Sequence, residues 1–416
     1  MSSWAGSMGE WHDTTLGELV TSSGGGIQTG PFGSQLHASD YVADGIPSVM
    51  PANIGENRIV EDGIARITED DAQRLSRHRL VPGDIVYSRR GDVERRALVR
   101  EENAGWLCGT GCLRVHFGPE PTADAAFVSY ALGTEWTRSW IVQQAVGATM
   151  LNLNTGILAS VPLSVPELGE QRAIAEVLGV LDDKIAANTQ LAATAEGLLR
   201  AEFECTRVDV EPCSSDEAVS VADLFEVNPR RARPSADEPV YVDMARLPTN
   251  SFSVSEWTRR APRGGVRFTN GDTVMARITP CLENGKVGYI DFLASGEVGL
   301  GSTEYIVLRS RAERGVPLEL SYFLARSPRF QANAVQHMVG SSGRQRLAGD
   351  DIKPFPLRRP DPSALARFGE MASPIFHHVR SLIRENVTLA ATRDTLLPQL
   401  MSGKLRVREA AEMAGL

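Results

Sequence analysis

Ile185-Ala-Ala-Asn188-Thr-Gln-Leu191-Ala-Ala-Thr194-Ala-Glu-Gly-Leu198-Leu199 returns near the end of the chain as Ile383-Arg-Glu-Asn386-Val-Thr-Leu389-Ala-Ala-Thr392-Arg-Asp-Thr-Leu396-Leu397. About half of these positions are identical without a gap, which marks an internal duplication. Upstream the correspondence continues more weakly. Pro82-Gly83-Asp84-Ile85-Val86 matches Asn270-Gly271-Asp272-Thr273-Val274, and Ser129-Tyr130 matches Ser321-Tyr322. Val146-Gly147 matches Val339-Gly340, and Val161-Pro162-Leu163 matches Phe355-Pro356-Leu357. The chain is therefore a globular segment and a helical segment, repeated once.

The helical segments announce themselves by period. Between Glu170 and Phe203 there is no proline, and Ile174, Val177, Leu178, Leu181, Ile185, Leu191, Leu198 and Leu199 recur at three- and four-residue steps. Met371, Ile375, Val379, Leu382, Ile383, Leu389, Leu396 and Leu397 repeat the stripe. Helices of about 30 residues or more would run on the order of 45–55 Å. That is longer than a small domain's edge, so the simplest burial is of each stripe against the other as a coiled coil. Asn188 and Asn386 fall in the stripe at matching places. Either they form a polar pair that fixes register, or they sit at the stripe's edge in solvent.

The globular segments read as α+β. Short β-branched runs (Gly83–Ser88, Leu113–Phe117, Tyr305–Leu308) predict strands, separated by turns at Asp62-Gly63, Asn270-Gly271 and Asn284-Gly285. Helices are predicted over Ala123–Val146 and Leu318–Met338. The Ser-, Asp- and Glu-rich stretch from Glu204 to Asp223 predicts the linker between halves.

Composition excludes more than it assigns. Hydrophobic content of 42% and charged content of 23% are those of a soluble globular protein. Met1 to Glu18 carries no basic start and no apolar core, so no signal peptide is expected, and no apolar run reaches membrane-spanning length. A cytoplasmic location follows as an expectation. Cys108, Cys112, Cys205, Cys213 and Cys281 are odd in number and scattered, which predicts reduced thiols. Cys108 and Cys112 lack the neighbours needed to complete a zinc site and read as buried thiols beside a strand; no metal is expected. Net charge is −9, yet whole-chain charge does not locate a positive surface. Cations are almost all arginine, the only lysines being Lys184, Lys286, Lys353 and Lys404. That favours guanine and phosphate contacts, or reflects codon bias.

Several motifs, in order, resemble the specificity subunits of type I restriction-modification systems. Gln28-Thr-Gly30-Pro-Phe32-Gly-Ser34-Gln35-Leu, with Gly45-Ile-Pro47 and Pro51-Ala-Asn53-Ile54, resembles the opening of a target recognition domain in that family. Pro82-Gly-Asp84-Ile-Val-Tyr-Ser88-Arg89-Arg90-Gly-Asp92 resembles its central strand and turn, and Gly271 to Lys286 the second domain's equivalent. Leu396-Leu-Pro398-Gln399-Leu-Met-Ser402-Gly403-Lys404-Leu resembles the closing helix. The resemblance implies two recognition domains, at 1–166 and 207–360, and helical spacers at 167–206 and 361–416. It further implies helices packed antiparallel in a pseudo-twofold arrangement. The implied partners are double-stranded DNA read as a split asymmetric site, two methyltransferase subunits and, in a restricting system, motor-nuclease subunits. No catalytic residue and no cofactor is expected in the chain itself, since no phosphate loop, nucleophile elbow or metalloprotease motif is present.

Base readout is the work of Arg, Asn and Gln, and phosphate contact that of Ser, Thr, Lys and backbone N–H groups. The expected DNA contacts in the first half are Gln28, Ser34, Gln35, Arg89, Arg90, Thr149, Asn152 and Asn154. In the second half they are Arg277, Thr279, Asn284, Lys286, Ser342, Arg344 and Gln345. Each has an ordinary alternative: a surface turn for Gln28–Gln35, and charge paired with Asp92 and Glu94 for Arg89, Arg90, Arg95 and Arg96. Trp106, Trp136, Trp140 and Tyr322 are assigned to domain cores rather than to stacking on bases. Two other readings stay open: a recognition module of a related methyltransferase-nuclease system, and a duplicated coiled-coil scaffold that binds protein only.

Overall fold

A computed structural model describes residues 11–147, 150–341 and 343–416. The fold is α+β, and the chain divides into two compact units, Met1–Asp183 with Leu389–Leu416, and Lys184–Thr388. Two long helices, Leu168–Thr206 and Pro362–Met401, each contribute a part to both units. Relative to the repeat, the second begins about one turn earlier than the first.

The first unit opens with a strand, His12–Thr15, antiparallel to Pro162–Val165. A capping box then starts the helix Leu16–Ser22: Thr15 N–H donates to Glu18 Oε2 (2.9 Å) and Glu18 N–H to Thr15 Oγ1 (3.2 Å). An antiparallel sheet follows in the order Gly26–Thr29, Cys112–His116, Ile85–Ser88, Arg96–Leu98. A second sheet runs Tyr41–Val42, Ala65–Ile67, Ile46–Val49, Leu107–Cys108, its last pair parallel. The predicted helix over Ala123–Val146 is two, Ala125–Ala131 and Glu135–Gln144. Asp124 caps the first, and Thr134, in the turn between them, caps the second.

The second unit repeats this order. Ala218–Ser220 pairs with Pro356–Arg358, and Asp223 Oδ2 accepts from Ser220 N–H (2.8 Å) at the start of the short helix Val221–Leu224. Its main sheet runs Phe225–Val227, Tyr305–Ser310, Thr273–Ala276, Val287–Tyr289, and the second Thr258–Arg259, Val240–Val242, Gly299–Gly301, Val266–Phe268. Again one pair, Val240–Val242 with Gly299–Gly301, is parallel. Leu318–Met338 resolves into Leu320–Arg326 and Pro328–Gln336.

Each unit buries its own part of the helices. In the first, Leu178, Leu181, Leu396 and Leu400 join Leu16, Tyr87, Leu113 and Phe127 in one core. In the second, Leu199, Phe203, Phe368 and Phe376 join Phe225, Met275, Tyr322 and Phe323. Within the second unit the helices run antiparallel, as Lys184 lies 3.7 Å from Glu385 and Arg367 lies 3.2 Å from Glu202. In the first unit Asp182 and Arg393 form a buried ion pair at 2.8 Å, and Tyr130 Oη donates to Asp182 (2.7 Å).

Three expectations are corrected. Leu191 and Leu198 are exposed, because the inward face beyond Asn188 passes through Ala192, Ala195, Leu199 and Phe203, at the helical period and one residue off the leucines. Trp136 is 61% exposed and fills no core. The segment from Glu204 to Asp223 is no loose linker: the first long helix reaches Thr206, Val208 and Val221 are fully buried, and Ala218–Ser220 is a strand.

Candidate nucleic-acid interface

In the first unit, the segments that carry the sequence-predicted contacts converge. Gly30 N–H donates to Cys112 O (2.9 Å), and its α-carbon sits so close to Gly109 that a Cβ would lie 2.1 Å from that carbonyl oxygen; only glycine fits. The turn that follows is closed by Gln35, whose Oε1 accepts from Phe32 N–H (3.1 Å) while its own N–H donates to Phe32 O (2.8 Å). Gln35 is therefore spent on holding the turn, whereas Ser34 and Phe32 project, Phe32 at 54% exposure. The Arg89 guanidinium lies over the Phe32 ring at 5.9 Å from its centroid. Arg89 O accepts from Leu153 N–H (2.9 Å), Gly91 N–H donates to Leu151 O (3.1 Å), and Arg90 bridges Asn152. Arg89, Arg90, Asn152 and the Phe32 turn are thus brought together. Asn154 Oδ1 caps the helix Thr155–Ala159 by accepting from Ile157 N–H (2.8 Å), and Thr149 lies outside the described residues. Of the arginine cluster, Arg96 is buried and donates to Ser129 O.

Gln28 is half-buried and its Nε2 donates to Arg77 O (2.6 Å). Behind it His78 is buried, with Nε2 accepting from Arg77 Nε (2.9 Å). Burial, together with the Arg77 and Arg114 guanidiniums, pushes the His78 imidazole down to about 4. A depressed histidine is held neutral by the fold, so its contribution is full above the free value of 6.5 and is lost as pH falls through about 4. Replacing His78 by Gln should therefore shift the unfolding free energy in the variant's favour by about 2 kcal/mol between pH 7 and pH 4.5. Urea titrations of both proteins at the two pH values check this, and equal pH slopes would refute it.

In the second unit, the hairpin Val339–Arg346 docks on the turn after Thr273–Ala276. Thr279 N–H donates to Gln345 O (3.1 Å), Gln345 N–H to Thr279 Oγ1 (3.1 Å), and Ile278 bridges Arg346. Arg277 Nε (3.2 Å) and Arg346 Nε (3.0 Å) both donate to Glu304, and Arg346 foremost holds that carboxyl below the usual range. Arg344 and Asn284 are exposed at the rim. Lys286 is not: its Nζ donates to Met244 O (2.7 Å), so its charge serves the fold. Ser342 lies outside the described residues. Val146 and Val339, equivalent in the repeat, stand out of their hairpins at 64% and 75% exposure.

Beneath both surfaces lies a motif that sequence reading quoted but did not interpret. Asp84 is 1% exposed and accepts from Val81 N–H (2.9 Å), Arg114 Nε (2.6 Å) and His116 Nδ1 (2.7 Å). Asp272 is fully buried and accepts from Thr269 N–H (2.8 Å), Arg231 Nη2 (2.6 Å) and Arg309 Nη1 (2.8 Å). The Gly-Asp of each half is thus the anchor of its sheet.

Sequence reading also missed the second unit's counterpart of the Gln28–Gln35 loop. It is Asn228-Pro229-Arg230-Arg231-Ala-Arg233, which follows Phe225–Val227 as Gly30-Pro31-Phe32 follows Gly26–Thr29. The signal was present: Thr15-Leu-Gly-Glu18 and Ser220-Val-Ala-Asp223 are capping boxes that each open a short helix ahead of the strand. Asn188 and Asn386 do meet: Asn188 Nδ2 donates to Asn386 Oδ1 (2.9 Å) and Glu385 Oε2 (2.8 Å), and Asn386 Nδ2 to Thr189 Oγ1 (3.2 Å).

Among the described residues no group of three or more His, Cys, Asp or Glu is placed to hold a metal, and no helix is long and apolar enough to cross a membrane. Cys108 and Cys112 are buried free thiols, with burial pushing the Cys108 thiol up to about 12.

Residues 8–196 match the family model of the type I restriction modification DNA specificity domain. Over 206 residues the chain is 25% identical to the EcoEI type I restriction enzyme specificity subunit of Escherichia coli, covering 48% of this chain and 34% of that one. It is 20% identical over 404 residues to the MjaIX specificity subunit of Methanocaldococcus jannaschii, covering 89% of each. The match thus spans about a third of the Escherichia coli relative's length and most of the archaeal one's. The fold is similar to that of the type I restriction-modification S subunit from M. genitalium, with a TM-score of 0.57 at 14% identity over 94% of this chain and 96% of that one.

Proposed function

We propose that this chain is a specificity subunit of the type I restriction-modification family, reads a split, asymmetric DNA site and carries out no chemistry itself. Residues 1–166 and 207–360 are the two target recognition domains in this reading, one for each half-site. Residues 167–206 and 361–416 form an antiparallel coiled coil under a pseudo-twofold, which spaces the domains and docks two methyltransferase subunits. The Asn188–Asn386 pair sets its register, as a core asparagine does in other coiled coils. Methyl transfer, and cleavage where a motor-nuclease subunit is present, belong to the partners, in a cytoplasmic complex.

The observation that carries the reading is a duplicated pair of sheets whose loops differ in chemistry. Around the first unit's sheets stand Ser34, Arg89, Arg90 and Asn152, with Gln28 on the strand Gly26–Thr29 and Gln35 and Asn154 holding local turns; around the second's stand Arg277, Thr279, Asn284, Arg344 and Gln345, with Lys286 behind them, while the expected contacts Thr149 and Ser342 lie outside the described residues. One scaffold with two inventories suits two different half-sites, since direct readout depends on side-chain type and on groove position. Expression with a methyltransferase partner, followed by mapping of methylated adenines, tests it. A split motif with a fixed spacer, lost when this chain is deleted, is expected. Methylation that persists unchanged without the chain would refute it.

A further inference from the structure

The second unit carries an open groove of about 490 Å³ beside Arg277, and its lining includes Arg230, Arg231, Arg267, Thr303 and Tyr305 but no acidic residue. In a chain of net charge −9 this is an unusual concentration of one sign. The nearby carboxylates are neutralised from within: Asp272 is buried under Arg231 and Arg309, and Glu304 is clasped by Arg277 and Arg346. Arg230 stays exposed, and among the described residues its guanidinium has no acidic partner. Arg267 has one bond, Nη1 to Arg231 O (3.0 Å), which steadies the side chain without using its charge. The strand that carries Arg267 pairs Arg267 with Leu300, as Arg79 pairs with Leu107 in the first unit. There the arginine is neutralised by Glu69, and the strand register puts Gly30 at the place of Arg230. Among the described residues, the equivalent two positions of the first unit therefore offer no free guanidinium.

The geometry points to a phosphate clamp: Arg230 and Arg267 bind backbone phosphodiesters of the DNA that the second unit reads, irrespective of base sequence. This rests on the DNA-reading function above and adds to it a division of labour. The Arg277–Gln345 rim reads, and the groove beside it holds, at positions that the first unit does not fill with free arginines. Guanidinium forks suit phosphate oxygens, and each neutralised phosphate releases counterions, so the clamp must show in the salt dependence of binding.

The test is DNA affinity of the full-length chain, copurified with its methyltransferase partner, between about 50 and 200 mM salt. Wild type and the variant Arg230→Ala/Arg267→Ala are titrated with a duplex carrying the mapped motif and with a scrambled duplex. The variant should bind both duplexes at least about tenfold more weakly, with a salt slope shallower by about 1–2. Its methylation motif should be unchanged. Thermal unfolding of the variant alongside wild type separates lost contact from lost fold, and Arg230→Ala alone, exposed and bonded to no acid, should still lower the slope by about 1. Unchanged slope and affinity would overturn the clamp. So would a loss confined to the motif duplex with a degenerate second half-motif, which would make these arginines base readers. If wild type binds both duplexes equally but the variant's slope falls, the clamp stands and sequence reading by this chain falls instead.

Discussion

Asp272→Ala should unfold the second unit at temperatures where the wild-type protein is folded, at a cost of about 3–5 kcal/mol. The carboxylate is fully buried and accepts from three directions. Its removal leaves the half-buried Arg231 and Arg309 facing each other with no counter-charge between them, and Thr269 N–H without an acceptor. A lone buried charge costs far more than a complete pair contributes, which places the expected loss above that of an ordinary core substitution. Hydrogen exchange should locate the damage in the sheet of Phe225–Val227, Thr273–Ala276, Val287–Tyr289 and Tyr305–Ser310. Asp237→Ala, at an exposed position, should cost no more than about 0.5 kcal/mol. A loss below about 1 kcal/mol for Asp272→Ala would mean that the two guanidiniums reach water easily, and that Gly-Asp is a turn signal without an anchoring role.

This aspartate shows where sequence reading worked and where it stopped. The duplication, the two long helices and the strand at Gly83–Ser88 were legible because each leaves a periodic or repeated trace. Asp84 and Asp272 were visible as a repeated dipeptide, yet their partners differ: His116 and Arg309 stand at equivalent strand positions but are different residue types, and Arg114 and Arg231 come from different elements. Equivalent anchors met by different partners leave no pattern along a single chain. The Asp182–Arg393 pair is hidden for a similar reason, since charges inside an apolar stripe read as interruptions until the opposing helix is placed. Lys286 and Gln35 looked free for a ligand, and only the fold reveals that backbone groups occupy them. Arg230 carries no repeat signal, because the second half has a proline in its opening loop but not the residues that surround Pro31 in the first.

Exchange of residues 28–154 for the equivalent segment of another specificity subunit should convert one half of the methylated motif to the donor's and leave the other half and the spacer unaltered. The segment contains nearly all of both sheets of the first unit, while His12–Thr15, Pro162–Val165 and both long helices stay with the host. The host ends are already tied, since Leu16 N–H donates to Val161 O (3.0 Å). Success depends on a few contacts that cross the seam. Tyr130 Oη must reach Asp182, whose charge is otherwise matched by Arg393, and Arg58 and Arg100 must reach Asp183 at 2.5 and 2.6 Å. A donor with phenylalanine at the Tyr130 position should still fold, because the Asp182–Arg393 pair remains, but with about 1–2 kcal/mol less stability. If helix geometry sets the spacer, a donor taken from a system with a different spacer must lose its own spacing in the chimera. Methylome sequencing of cells carrying the exchange reads both quantities at once. A spacer that follows the donor would place spacing in the globular segment, and a motif changed in both halves would mean that the two units do not read independently.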